Sequence, residues 1–226
     1  MSPISNMPKE KTPNYYAGGR HDLLALVPTE AARVLDVGCG AGVLGEALKA
    51  SRPCVVIGIE LNQEAATTAA QVLDQVICAP VETLSLEALG RDYDCIIFGD
   101  VLEHLADPWE LVRRYRRLLT PQGVMVASIP NIGHWTVIAD LLRGRWEYRT
   151  RGLLDSTHLR FFTARSVRAL FEDAGLTIVR WERNFRLIER DRRYAKVARW
   201  LGKGPLRELF TFQYLVVARR VGGLEE

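Results

Sequence analysis

Val34-Leu35-Asp36-Val37-Gly38-Cys39-Gly40-Ala41-Gly42 is the stretch that decides the fold. An apolar run broken only by Asp36 reads as a short buried strand, and three glycines follow at alternate positions. Val43 to Ala50 then continues as a helix. In a strand–glycine loop–helix unit the missing Cβ atoms let the chain turn sharply and bring backbone N–H groups close to a ligand. The Gly40-x-Gly42-x-x-Gly45 pattern inside it would by itself pass for a dinucleotide site. Asp36 points elsewhere. A carboxylate two residues before the first glycine repels a phosphate, whereas it holds a ligand that ends in a cationic amino-acid group.

Outward from this unit the chain alternates. Cys54 to Glu60 is a continuous apolar run ending in an acid, as a buried parallel strand would be. Glu60 lies about twenty residues beyond the glycine loop, where a strand-tip carboxylate can accept both hydroxyls of a ribose. A helix over 63–73, a short strand over 75–79 and a strand over 93–99 follow. Asp107 and Pro108 start a helix that runs to about 119, as N-cap and first helical residue. Thr120 to Gly123 turns into a strand over 124–129, a helix is expected at about 136–143, and Thr163 caps a helix over 164–174 closed by Gly175. Strands over 176–182 and 210–218 finish the pattern. Such alternation means a doubly wound α/β sheet.

The 226 residues suit one domain with a full core, 1–226, and the 48% hydrophobic and 25% charged content is that of a soluble globular chain. No window approaches the roughly 20 apolar residues of a membrane span, and the N-terminus lacks a signal peptide's apolar core. The four cysteines (Cys39, Cys54, Cys78, Cys95) sit in or beside strands without zinc-type spacing, so buried free thiols and a cytoplasmic location are expected. Residues 1–14 read as a loose polar arm, and a helix at about 21–27 is ended by Pro28. The net charge of +3 is too small to argue for nucleic acid. Its distribution is uneven: residues 186–207 hold eight arginines and lysines against Glu189 and Asp191 in a pattern that reads as helical. Three accounts fit that segment: a cap or homodimer contact, a membrane-surface contact in which basic stems flank Trp200 and Leu201, and nucleic-acid binding, which no recognised RNA module accompanies.

The glycine-loop motif resembles the first motif of class I S-adenosylmethionine-dependent methyltransferases, and Asp100-Val-Leu-Glu-His-Leu with Ala-Asp-Pro-Trp at 106–109 resembles their fourth. The resemblance spans about residues 15–182. It implies a Rossmann-like sheet of seven strands, helices on both faces and the last strand antiparallel. It implies S-adenosyl-L-methionine as cofactor and S-adenosyl-L-homocysteine as product. Carried over by position, the cofactor would meet Tyr16, Arg20 (at its carboxylate), Asp36, Gly38, Gly40, Glu60 and Leu61, and the strand edge Gly99, Asp100, Val101 and His104. Pro80 stands where the family places an acid against the adenine amine, so the Val81 backbone or the Glu82 carboxylate would substitute.

Methyl transfer to a hydroxyl needs the acceptor oxygen held behind the methyl carbon and its proton removed. The candidate bases are His134, which follows the fifth strand, and His158, with Asp155 three residues earlier to orient it and Arg160 two later to hold an anionic acceptor. His104 reads as mainly architectural. The region 131–163 is an acceptor-side insertion, with Asn131, Trp135, Tyr148 and Arg160 as substrate contacts. Its Gly152–Thr163 block and the Pro-Asn-Ile-Gly-His-Trp run resemble a bacterial branch associated with cell-surface glycans. That makes a sugar-type acceptor the first expectation. An O- or N-methyltransferase of a quinone or secondary metabolite, and a non-catalytic partner in methionine biosynthesis, are the alternatives. Asp36 speaks against a nicotinamide dehydrogenase. The acids outside the cofactor motifs are not clustered in sequence, so no metal is expected.

Overall fold

The computed structural model describes residues 20–188 and 194–220. The expected arm at 1–14 and Tyr16 lie outside them. The described chain runs α1 (His21–Leu24), β1 (Arg33–Val37), α2 (Val43–Ser51), β2 (Val55–Glu60), α3 (Gln63–Ala69), β3 (Gln75–Cys78), α4 (Leu86–Leu89), β4 (Tyr93–Gly99), α5 (Pro108–Tyr115), β5 (Leu119–Pro130), α6 (Trp135–Leu142), α7 (Ala164–Glu172), β6 (Leu176–Phe185), α8 (Ala195–Leu201), α9 (Arg207–Phe210) and β7 (Thr211–Arg220). Single 3-10 turns at Val81–Thr83, Leu102–His104 and Arg116–Leu118 punctuate it.

One seven-stranded sheet has the order β3-β2-β1-β4-β5-β7-β6. The pairs β1–β2, β2–β3, β1–β4 and β4–β5 are parallel, and β7 runs antiparallel to both neighbours. The chain winds outward from β1 to β3, then returns to lay β4 on the other side of β1. The gap between the tips of β1 and β4 is therefore the switch point where open α/β sheets bind ligands.

Period-two alternation along the strands splits the core into two layers. Leu35, Val37, Ile57, Ile59, Ile96 and Phe98 face one layer, where they pack with Leu111, Val112 and Tyr115 of α5 and Val167, Leu170 and Phe171 of α7. Val34, Val56, Cys95 and Ile97 face the other, with Leu23 of α1, Leu48 of α2 and Ala69 of α3. The caps read from sequence form as chemistry requires: the Asp107 side chain accepts from the Glu110 N–H at 3.0 Å behind Pro108, and Thr163 and Ser166 make a reciprocal capping box.

Five elements differ from expectation. The α3 helix, expected to reach 73, ends at Ala69. The α1 helix ends at Leu24 and continues only as turns to Pro28. The β5 strand begins at Leu119, and residues 120–123 bulge out of its pairing with β4, which jumps from Tyr93–Leu119 to Cys95–Val124. Gly123 allows this because a Cβ there would meet the Tyr93 carbonyl oxygen at 2.6 Å. The β6 strand is longer than expected and runs on to Phe185. The described part of the basic segment is not one helix but α8 and α9, separated by Gly202 to Leu206; Pro205 cannot continue a helix. Residues 189–193 of that segment lie outside the described residues.

Gly58, buried on β2, shows how tightly the glycine loop lies on the sheet. A Cβ there would meet Cys39 Sγ at 2.6 Å and Leu73 Cδ1 at 2.8 Å. Alanine gains up to about 1 kcal/mol of backbone entropy over glycine in a strand, but overpacking a filled core costs about 1–3 kcal/mol. The second term wins because Cys39 is too short to swing away. Gly58→Ala is expected to lower stability by about 1–2 kcal/mol, read as a lower urea midpoint at unchanged slope.

Candidate functional site

A cavity of about 830 Å3 opens across the C-terminal tips of β1, β2 and β4. Its floor is the glycine loop. The N–H groups of Gly38 and Cys39 both donate to the Ile59 carbonyl, at 2.7 and 3.0 Å, which pins the loop to the tip of β2. Gly38, Gly40 and Gly42 all adopt positive φ, at 72°, 55° and 83°. A Cβ on Gly38 would also meet Val101 Cγ2 at 2.5 Å. Glu60 is held between backbones: Oε2 accepts from the Gly40 N–H at 2.9 Å and Oε1 from the Asn62 N–H at 2.8 Å. Each oxygen keeps a second lone pair, enough for a vicinal diol.

Asp36 lies beneath the loop at 3% exposure, and its Oδ2 is buried with no hydrogen-bond partner among the described residues. Burial first, and the nearby Glu60 charge second, push its carboxyl up to about 7. A cationic group entering the cavity would give this oxygen a partner.

Opposite, Asp100 follows β4 with φ 59°, unusual for a residue with a side chain. Its N–H donates to Ser128 Oγ at 3.1 Å, that hydroxyl donates back to Oδ1 at 2.9 Å, Gln213 Nε2 also donates to Oδ1, and Arg20 pairs with Oδ2. Arg20 donates in addition from Nε to Asp22 Oδ1 at 3.0 Å. Burial works against the Arg20 charge, but Asp100 and Asp22 outweigh it and raise the guanidinium further. Burial likewise opposes ionisation of Asp22, and Arg20 overrides it, holding that carboxyl below its ordinary value.

Among the described residues, the cofactor positions expected from sequence converge here: Arg20, Asp36, Gly38, Gly40, Glu60, Leu61, Val81, Glu82, Gly99, Asp100, Val101 and His104 all line this one cavity. Pro80 lines it too, beside Ala79. Thr157, Asn62 and Gln63 line it without having been singled out.

The expected acceptor residues mostly lie elsewhere. His134 is buried and caps α6: Nδ1 accepts from the Thr136 N–H, and Nε2 lies 2.9 Å from the Arg186 carbonyl. Both ring nitrogens are thus committed to structure, which corrects the expectation of a base there. The Asn131 amide donates to the carbonyls of Glu208 and Thr211, both at 2.8 Å, and so ties β5 to the start of β7. Trp135 donates to the Leu187 carbonyl at 2.7 Å and borders a separate hollow with Asp140 and Arg149. Tyr148 stands 58% exposed. Arg160 donates to the Ala106 carbonyl and lies over the Trp109 ring, so it anchors a loop rather than facing the cavity.

Asp155 does not orient His158. Its Oδ1 accepts from the Thr157 N–H at 2.9 Å and hydroxyl at 2.7 Å, and the Thr157 carbonyl lies 3.0 Å from His104 Nδ1. A carbonyl only accepts, so Nδ1 of His104 is the donor and Nε2 carries the lone pair in the neutral ring. His158 stands behind, edge-on to His104 at 4.8 Å between ring centres, with Nδ1 on the Leu153 carbonyl. Its Nε2 is 4.0 Å from Glu103 Oε1. Glu103, His104 and His158 offer ligand atoms within 4.8 Å of one another, a carboxylate–imidazole donor set that suits a borderline divalent ion. Two of the three belong to the Asp100-to-Leu105 motif, and His158 joins them from the insertion.

Three features together, an open sheet with an antiparallel seventh strand, a cavity at its switch point, and buried acids where a sulfonium amino acid and a ribose would rest, define the class of S-adenosylmethionine-dependent methyltransferases. Residues 9–180 match the model of the methyltransferase domain family, and the chain belongs to that family. It is an enzyme, and S-adenosylmethionine is its cofactor. Similar curated proteins include a ubiquinone biosynthesis O-methyltransferase of Psychrobacter arcticus, 32% identical over 72% of this chain and 65% of that protein. One of Cereibacter sphaeroides is 30% identical over 69% and 64%. The chain thus spans just under two thirds of these relatives' length. Among solved structures, a SAM-dependent methyltransferase from Archaeoglobus fulgidus superposes with TM-score 0.64 at 20% identity, covering 92% of this chain and 97% of that one. Magnesium protoporphyrin IX methyltransferase from Synechocystis, with bound SAH, gives 0.62 at 15% identity over 92% and 83%.

The raised Asp36 carboxyl sets a pH window. Its native value lies above the unfolded one near 3.9, so the cofactor-free protein loses stability from this group as pH rises from about 4 through about 7. Asp36→Asn, which removes the titration, is expected to raise the melting temperature more at pH 8 than at pH 5. Equal shifts at the two pH values would contradict a buried, strained carboxylate.

Proposed function

We propose that the chain methylates a hydroxyl oxygen of a small phenolic acceptor of the quinone-precursor class, with His104 as general base. The observation that carries the base is the tautomer and position of His104: an imidazole on the cavity wall, braced through Thr157 by Asp155, with a basic Nε2. The names of the curated relatives favour a phenolic acceptor over the sugar expected from the 152–163 block.

When bound, S-adenosylmethionine supplies an electrophilic methyl group on a cationic sulfur. In this reading Asp36 and the glycine loop hold its amino-acid end and Glu60 its ribose. The lining from Ala79 to Glu82 covers the adenine, with Val81 and Glu82 in place of the acid that Pro80 displaces. His104 would take the proton that the acceptor hydroxyl gives up on becoming an ether. A neutral imidazole suits this step, because an imidazolium would repel the sulfonium and could not accept the proton.

A second reading follows from the Glu103–His104–His158 cluster: a divalent ion there would activate the hydroxyl in place of the imidazole. Transfer of labelled methyl to a panel of catechols and monosaccharides separates these ideas. Wild type is expected to label a catechol, to keep its turnover in a chelator, and to lose about 10²- to 10³-fold in kcat on His104→Asn. Labelling of sugars alone would overturn the acceptor. Full turnover in His104→Asn would overturn the base, and loss in chelator restored by magnesium would move the work to an ion.

A further inference from the structure

The second half of β6, from Trp181, and the whole of β7 lie beyond the residues that match the family model, which end at 180. Through Gln213 this part of the chain nevertheless holds Asp100, which lines the cavity. Asn184 on β6 and Gln213 on β7 are cross-strand partners, and Asn184 Nδ2 lies 3.4 Å from Gln213 Oε1. From there the two amides part. Gln213 Nε2 donates to Asp100, and Asn184 Nδ2 donates to Asp22 at 2.9 Å. Asp100 and Asp22 are the two carboxylates that grip Arg20. The side chains thus close a ring, Arg20–Asp100–Gln213–Asn184–Asp22 and back to Arg20, that ties α1 and the tip of β4 to the far edge of the sheet.

Only Arg20 and Asp100 of this ring line the cavity. They are a cation and an anion side by side, which is what a zwitterion is read by: the guanidinium keeps donors for a carboxylate, and Asp100 could accept from an ammonium. Neither is held by local structure alone. Asp100 sits at positive φ, a conformation that persists only when its surroundings over-determine it. Arg20 precedes a helix of one turn and has no capping bond of its own.

We propose that Asn184 and Gln213 are positioning residues that set Arg20 and Asp100 for the amino-acid end of the cofactor. The proposal rests on the cofactor being S-adenosylmethionine. The hairpin acts at this end only, because the ribose and adenine walls are built from β2, β3 and the loops after them.

The test compares two ligands that share adenosine and a thioether: S-adenosylhomocysteine, which has the amino-acid end, and 5′-methylthioadenosine, which lacks it. Titration of Gln213→Ala and, independently, Asn184→Ala is expected to show S-adenosylhomocysteine weakened about tenfold (about 1.4 kcal/mol). Methylthioadenosine binding should stay within about twofold of wild type. Either variant suffices if it melts as wild type does. Equal weakening of both ligands would mean a merely structural hairpin, and no weakening of either would mean that the ring is idle; both results overturn the proposal. Failure of wild type to bind S-adenosylhomocysteine would instead overturn the cofactor reading, while the proposal's own failure leaves wild-type binding intact.

Discussion

The constraint on which the structure depends is the contact between the glycine loop and the tip of β2. Two consecutive N–H groups share the Ile59 carbonyl, and the next glycine's N–H meets Glu60. That contact comes with positive φ at Gly38 and Gly40 and leaves no room for a side chain at Gly58, while Val101 closes the space at Gly38. It also aims two acids at one cavity from neighbouring strands. The order of the sheet follows from the same requirement, since β4 must return beside β1 for Asp100 to face the loop from the other side.

The cavity is built to be electrically uncomfortable without its ligand. Asp36 is buried with an unpartnered oxygen beside a second carboxylate. Across from it, Arg20 and Asp100 sit in a closed hydrogen-bonded ring. Burying charge costs free energy unless a partner offsets it; the ring offsets the charges of Arg20 and Asp100, so Asp36 is the group that a cationic ligand end would relieve on binding. Too strong a hold on the sulfonium would favour the ground state over the transition state, where that charge is vanishing. The placement of Asp36 beneath the loop suits the amino-acid end rather than the sulfur.

Much of this was legible in the sequence. Strand–loop–helix spacing reads as the parallel half, Asp36 and Glu60 stand out as acids at strand tips, Asp100 belongs to the motif that resembles the family's fourth, and all three line the cavity. The insertion was harder. Asp155-x-Thr157 is a local turn in which the side chain bonds the backbone two residues on, whereas the sequence alone equally suits a pairing of Asp155 with His158. His104 is placed on the wall by its own motif, but the bond with Thr157 that fixes its ring comes from a loop some fifty residues later, which no local pattern reveals. His134 and Asn131 carry chemistry-bearing side chains but spend them on backbone groups of distant segments. Asn184 and Gln213 are unremarkable polar positions until the antiparallel register sets them side by side.

The central claim is that one cavity, organised by the glycine loop and Glu60, takes S-adenosylmethionine. Isothermal titration with S-adenosylhomocysteine, wild type against Glu60→Ala, tests it most directly. The account predicts one-to-one binding that Glu60→Ala weakens about a hundredfold, roughly 2.7 kcal/mol, in a protein that still melts cooperatively. Undiminished binding in the folded variant would contradict it.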